Sequence, residues 1–329
     1  MRLGVQAVRR RLLAWFDAHR RDLPWRRTRD PYRILVSEIM LQQTRVQTVV
    51  PYYQRFVKQF PTARDLAGAP ESGVLRAWAG LGYYARARRL RQAATIIAGQ
   101  GFPGDLAWVR ALPGVGPYTA AAVLSIAFGQ PLAAVDGNVR RVLSRLLASP
   151  AGQAQADALL DARRPGDFNQ ALMELGATVC LPHDPDCPRC PLKSFCRARR
   201  DGSVLRFPVK ESQRPTETVK LRLALVRRGT RVLLEPPTGR GLWPDFWNLP
   251  LAARLPLREP RWLTAFGHAV TFRRIQVEVV TGRLHGPPRG FQYQDPGSVA
   301  LSTPARKALR AAAMVPTATR TGRESRPSR

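Results

Sequence analysis

The sequence predicts an all-α region through about residue 200, followed by a small α+β domain. From about residue 5 to 178, apolar residues recur at helical spacing between Gly and Pro punctuation, and no stretch alternates as a strand does. After residue 218 the period changes: Val219, Leu221, Leu223 and Leu225 alternate with Lys220, Arg222 and Ala224. Between them, residues 201–217 carry Ser, Pro and charge and read as a linker. The domains expected are therefore residues 1–200 and 218–312, with residues 313–329 a disordered tail of Thr, Ser, Gly, Pro and Arg that lacks apolar periodicity.

In chain order, the spacing predicts helices over Val5–His19, Pro31–Gln43, Arg45–Lys58, Glu71–Trp78, Ala85–Ala98, Pro117–Phe128, Val139–Leu147 and Phe168–Val179. In the second domain a turn at Arg228-Gly229-Thr230 leads into Val232-Leu233-Leu234. Later Ile275, Val277 and Val279 alternate with Gln276, Glu278 and Val280 as a strand around His268 to Val280.

The charge balance points to phosphate-rich partners. Lys and Arg number 53 against 23 acidic residues, a formal net charge of +30, and such an excess favours nucleic acid through counterion release. The basic residues are nearly all Arg, which compositional bias in the genome explains; that bias does not explain the net sign. The basic start, Met1 to Arg11, lacks a signal-peptide apolar run, and no stretch is apolar enough to span a membrane. The expectation is a soluble intracellular protein, cytoplasmic and nucleoid-associated, with no membrane partner.

Three groups of residues carry chemistry. The first is the run Leu112-Pro113-Gly114-Val115-Gly116-Pro117-Tyr118-Thr119-Ala120, in which Gly114 and Gly116 supply a tight turn between helices and Pro117 pre-sets the first turn of the second. This is a helix-hairpin-helix signature, which aims backbone N–H groups and a helix N-terminus at a DNA phosphate regardless of base sequence.

The second is the set Cys180, Cys187, Cys190 and Cys196, the only cysteines of the chain, separated by six, two and five residues. Confined to one short stretch, they are wrong for disulfides spread through a secreted domain and right for metal ligands. By spacing alone they fit an iron-sulfur cubane or tetrahedral zinc equally. Four protein ligands leave no open position for catalysis, and basic neighbours Arg189, Lys193, Arg197, Arg199 and Arg200 suggest a loop held to present charge to DNA.

The third is a pair of acids. Glu38 lies at helical spacing from Ile34 and Leu41, so its carboxyl meets an apolar wall that would raise its pKa and keep a proton available near neutrality. A buried acid satisfied by hydrogen bonds is the alternative. Asp136, in Val135-Asp136-Gly137-Asn138-Val139, stands where an N-cap belongs and could serve in both capacities.

Together these residues resemble the helix-hairpin-helix DNA glycosylases that carry an iron-sulfur cluster, the group that includes endonuclease III. Within that group, four strings are similar to the adenine DNA glycosylases of the MutY type: Asp22-Leu23-Pro24-Trp25-Arg26, Ser37-Glu38-Ile39-Met40-Leu41-Gln42-Gln43-Thr44, Gly80-Leu81-Gly82-Tyr83-Tyr84-Ala85-Arg86, and the string around Asp136. The match runs over most of residues 8 to 200.

The resemblance implies a six-helix barrel and a cluster domain with double-stranded DNA between them, a 4Fe-4S cluster on the four cysteines, and a monomer. It implies removal of adenine mispaired with 8-oxoguanine or guanine after base flipping. Glu38 would protonate the adenine and Asp136 stabilise the sugar cation, with Tyr118 and Asn138 as positioning partners. Trp25, Arg26 and Gln170 would line the adenine pocket. Gln43 and Tyr83 would intrude near the orphaned 8-oxoguanine, although Tyr83 and Tyr84 otherwise read as ordinary packing. Bifunctional members place a Lys where this chain has Tyr118, and no Lys occurs between Lys58 and Lys193, so Schiff-base lyase chemistry is not expected. The rivals are an endonuclease III-like glycosylase-lyase and a non-catalytic iron-sulfur DNA-binding protein.

In the second domain, Gly241-Leu242-Trp243-Pro244-Asp245-Phe246-Trp247-Asn248-Leu249-Pro250 and the strand after it resemble the Nudix-like C-terminal domain of the same enzymes, which implies recognition of 8-oxoguanine. Residues 251–263 contain a single acid, Glu259, where a hydrolysing Nudix domain needs a glutamate-rich helix for magnesium. The string His268-Ala269-Val270-Thr271-Phe272 departs from the family, which has Ser-His or Thr-His at its last two positions. Phe272 replaces the histidine, and Thr271 keeps a hydroxyl for the oxidised base.

Overall fold

A computed structural model describes residues 4–209, 216–238, 241–244, 246–270, 273–286 and 289–313. Thr271, Phe272, Asp245, much of the linker and the tail from residue 314 lie outside the described residues. The chain divides between residues 211 and 212 into two compact units.

The first unit is helical: α1 (Val5–His19), α2 (Pro31–Leu41), α3 (Val46–Gln59), α4 (Ala63–Gly68), α5 (Glu71–Trp78), α6 (Ala85–Gln100), α7 (Leu106–Ala111), α8 (Pro117–Phe128), α9 (Gly137–Leu147), α10 (Gln153–Leu159), α11 (Pro165–Thr178) and α12 (Arg197–Arg200). Helix α2 is the axis of one half. Asp30 caps it by accepting from the Arg33 N–H, Pro31 opens it, and every residue from Ile34 to Met40 is buried. A helix that is apolar nearly all round must be enclosed, and α2 packs on α3, α6 and α8. That enclosure is why Glu38, set among these residues, is withdrawn from water.

The other half is built on α1, α9 and α11, whose Leu12, Phe16, Val139, Leu143, Phe168 and Leu172 form one core. Cys180, Cys190 and Cys196 pack against the same cluster, so the cysteine loop is seated on it.

The helices expected at Val5–His19, Glu71–Trp78 and Pro117–Phe128 have those limits. The other five are shifted by one to three residues at one or both ends, two of them for evident physical reasons. Helix α2 stops at Leu41 rather than reaching Gln43, whose φ of 57° is left-handed. Helix α11 starts at Pro165, three residues before Phe168, because proline suits the first helical position. Among the described residues, no helix is long and apolar enough to cross a membrane.

The second unit contains β1 (Glu217–Ala224), β2 (Arg227–Arg228), β3 (Arg231–Leu234), β4 (Leu257–Val270), β5 (Arg273–Leu284), β6 (Gln292–Gln294) and α13 (Thr303–Ala313). Strand β5 pairs parallel with β1 and antiparallel with β4, and β3 lies between β2 and β6. The single strand expected around His268 to Val280 is in fact the end of β4 and the start of β5. Residues 252–254 form a 3-10 turn and β4 begins at Leu257, so no helix occupies 251–263.

Candidate active site

A cavity of about 610 Å3 opens in the first unit. Trp25, Arg26, Glu38, Gln43, Tyr118, Asp136, Asn138 and Gln170, far apart in sequence, all line it. Each is aimed by local structure. Trp25 and Arg26 sit in a 3-10 turn opened by Pro24, Glu38 on α2, Tyr118 in the first turn of α8, and Gln170 on α11. Asp136 is the N-cap of α9.

Glu38 is 6% exposed. Burial pushes its carboxyl up to about 7; a hydrogen bond from Tyr118 opposes the shift, the negative charge of Asp136 adds to it, and Arg26 opposes it. Its Oε2 is buried with no hydrogen-bond partner, and Glu38 is among the residues that line the cavity. The Tyr118 hydroxyl reaches Met173 Sδ at 3.5 Å and also hydrogen-bonds the Glu38 carboxyl. Burial, reinforced by Glu38 and Asp136, holds the Tyr118 phenol well above its ordinary value, so it remains a donor.

The Asp136 carboxylate is held from both sides. Oδ1 accepts from the Val139 backbone N–H at 2.7 Å, and Oδ2 accepts from Asn138 Nδ2 at 3.0 Å. Asn138 Oδ1 in turn accepts from Arg141 Nη2 at 2.9 Å. Arg141 also donates to the carbonyls of Gly176 and Cys180, which ties this corner to the cysteine loop.

Sequence reasoning missed Glu174. It is 1% exposed and lines the same cavity. Burial works to raise its pKa, but hydrogen bonds from Arg21 Nε at 2.7 Å and Arg26 Nη2 at 2.8 Å, with their charges, hold it down at about 2. The one available signal was spacing: Gln170, Met173, Glu174 and Ala177 share a helical face, and all line the cavity. Glu174 thereby fixes the Arg26 guanidinium at the cavity wall.

Tyr83 lies outside the cavity lining, in the loop before α6, 50% exposed with φ 47°. Gly114 has φ 83°, and a Cβ there would stand 3.0 Å from the Arg89 Cβ, so the hairpin turn needs glycine. Gly116 is the N-cap of α8, where no side chain caps the helix, so its first-turn N–H groups are available to an outside acceptor.

Cys180, Cys187, Cys190 and Cys196 border one small separate cavity with Arg145 and Arg199. Among the described residues, no three His, Cys, Asp or Glu side chains are grouped closely enough to hold a metal ion. Arg145, 2% exposed, approaches Cys180 Sγ at 3.4 Å and donates to the carbonyls of Leu181 and Pro182, pinning the start of the loop.

The family model described as HhH-GPD superfamily base excision DNA repair protein matches residues 36–163. The adenine DNA glycosylase of Buchnera aphidicola (subsp. Baizongia pistaciae) is 34% identical over 252 residues, which cover 73% of this chain and 72% of that protein. The human adenine DNA glycosylase is 48% identical over 218 residues, covering 60% of this chain and 40% of that protein, so this chain spans well under two thirds of its length. A solved structure of a trapped covalent intermediate between endonuclease III and DNA covers 61% of this chain and 99% of its own, at 25% identity and a TM-score of 0.52.

Proposed function

The chain belongs to the adenine DNA glycosylase family of helix-hairpin-helix base excision repair proteins, and on that premise we propose that it is a monofunctional glycosylase. Its reaction is hydrolysis of the N-glycosidic bond of adenine mispaired with 8-oxoguanine or guanine in duplex DNA. The observation that carries this reading is the pairing, in one cavity, of a buried carboxyl raised to about 7 with an N-cap carboxylate held by Val139 and Asn138.

Adenine in a duplex is out of reach of these groups, so it must leave the stack, at a cost of a few kcal/mol that is smaller for a mispair. Tyr83 and Gln43 occupy the helix as the base departs, and the N–H groups beyond Gly114 and Gly116 hold a phosphate. The extruded adenine enters between Trp25, Arg26 and Gln170. Protonated Glu38 donates to N7, so adenine departs neutral rather than as an anion. Positive charge develops on the sugar as the bond breaks, and the Asp136 carboxylate stabilises it, directly or by transient attachment, before water completes hydrolysis. Tyr118 keeps Glu38 oriented, Asn138 keeps Asp136 oriented, and no lysine is present for a strand-nicking Schiff base.

The four cysteines fit a 4Fe-4S cluster, because four thiols, the ligand set such a cluster takes, border one small cavity. When bound, it would supply structure rather than reaction chemistry, fixing a loop that presents Arg189, Lys193 and Arg197 to the backbone. The second unit is read as a Nudix-like domain that recognises the base opposite the adenine, with Thr271 in that role; its stretch 251–263 offers no magnesium-binding helix. DNA is the expected partner and a monomer the expected state.

The test is a Glu38→Gln variant, which keeps the shape and loses the proton. The proposal expects mispair binding with excision abolished. Excision at the wild-type rate would overturn it.

A further inference from the structure

Arg86, in the first turn of α6, is 9% exposed, and no carboxylate among the described residues pairs with it. Its terminal nitrogens instead reach acceptors on two separate segments. Nη1 donates to the carbonyls of Ile39 and Met40, each at 3.0 Å, and of Gln42. Nη2 donates to Thr44 Oγ1 at 3.1 Å and to the carbonyls of Leu81 and Gly82, each at 3.2 Å.

The first set is the C-terminal end of α2, where the last carbonyls lack helical partners and a cation is favoured by the helix dipole. Nη2 bridges the residue just beyond that end, Thr44, to the loop that carries Tyr83. Between these contacts stand Gln43 at φ 57° and Tyr83 at φ 47°, two non-glycine residues in the left-handed region. Such residues persist where their surroundings over-determine them. The Arg86 guanidinium also lies 5.6 Å from the Tyr83 ring centroid and 5.5 Å from that of Trp78.

We propose that Arg86 is a positioning residue that locks Gln43 and Tyr83 to each other and to the helix carrying Glu38, so that wedge insertion is delivered in register with the acid. A planar fork can bind both segments at once, whereas the compact ammonium of lysine cannot span them. The proposal rests on the reading of Gln43 and Tyr83 as the residues that intrude into DNA, and the test separates the two.

The test is single-turnover excision by the full chain, scaled to the fraction of active sites. One duplex carries adenine in the mispair; the other presents adenine in an unpaired bulge, already unstacked. Arg86→Lys is expected to slow the mispair reaction by on the order of tenfold or more, with the bulge reaction little changed and the pH midpoint set by Glu38 unmoved. Adding Tyr83→Ala to Arg86→Lys should slow the mispair reaction no further than the slower single change, because both act through one step. Equal slowing on both duplexes, or effects that multiply, would show a general loss of structure and overturn the proposal, as would wild-type rates for Arg86→Lys. If Tyr83→Ala and Gln43→Ala each leave mispair excision unchanged, the wedge reading itself is wrong and the proposal falls with it.

Discussion

Glu38 and Glu174 line one cavity and are driven in opposite directions, Glu38 up to about 7 by burial and Glu174 down to about 2 by its two arginines. Two carboxyls of one chemical type are thereby divided into one that keeps its proton up to about neutrality and one that is a fixed anion.

Excision is expected to follow the protonated fraction of Glu38. The rate should be flat below about pH 7 and fall about tenfold per unit above it. Single-turnover rates from pH 5 to 9 measure this. A rate that rises through neutrality would contradict the assignment.

The same shift destabilises the folded chain at high pH. A pKa raised on folding contributes stability that is complete below the unfolded value, 4.5, and is lost as pH rises through the folded value of about 7. Glu38→Gln should therefore stabilise the protein at pH 8, by roughly 3 kcal/mol at 1.36 kcal/mol per pKa unit, and by much less at pH 4. Denaturant unfolding at both values checks the sign.

Glu174→Gln should do the reverse. It strips the partly buried Arg26 of its counter-charge and loosens Arg21, at a cost of roughly 3 kcal/mol. Because the folded pKa is depressed, the stabilisation it removes exists above about 4.5 and disappears as pH falls toward 2. Unfolding at pH 7 should reveal the loss and at pH 2 should nearly hide it.

Asn138→Ala removes the hydrogen bond to Asp136 Oδ2 and leaves the N-cap bond to Val139 in place. Excision should slow by about 10- to 100-fold, the loss from one oriented charge-assisted hydrogen bond, with mispair affinity within about twofold of wild type. Equal losses in rate and affinity would indicate a collapsed pocket instead.

Gly114→Ala forces a Cβ against Arg89 at a left-handed position. It should cost roughly 1–2 kcal/mol of stability and, on the proposal that the hairpin holds a phosphate, weaken binding to every DNA sequence alike. Binding titrations on matched and mispaired duplexes check this; a loss confined to the mispair would place the hairpin elsewhere in the mechanism.

The parts of the fold that were legible are those where apolar spacing is long and punctuated, such as α2 and α8, each opened by proline. The short helices α4 and α7 escaped notice because caps rather than periodicity hold them: Thr62 with Asp65 in a capping box, and Asp105 accepting from Trp108. The first part of strand β4 escaped because Glu259, at φ 50°, and Pro260 interrupt its alternation with a bulge. Glu38 and Asp136 could be singled out from local context alone. Glu174 could not, since Arg21 and Arg26 lie about 150 residues before it, and neither could Arg86, most of whose acceptors lie on the distant segment of residues 39–44.

The most direct measurement is single-turnover release of adenine from a duplex bearing adenine opposite 8-oxoguanine, by the wild-type chain and by Glu38→Gln, with and without alkali to cleave abasic sites. Release by the wild type alone, with strand breaks only after alkali, is the result expected of a monofunctional glycosylase that uses Glu38 as its acid. Release by both proteins, or by neither when a cluster-loaded wild type binds the duplex, would contradict it.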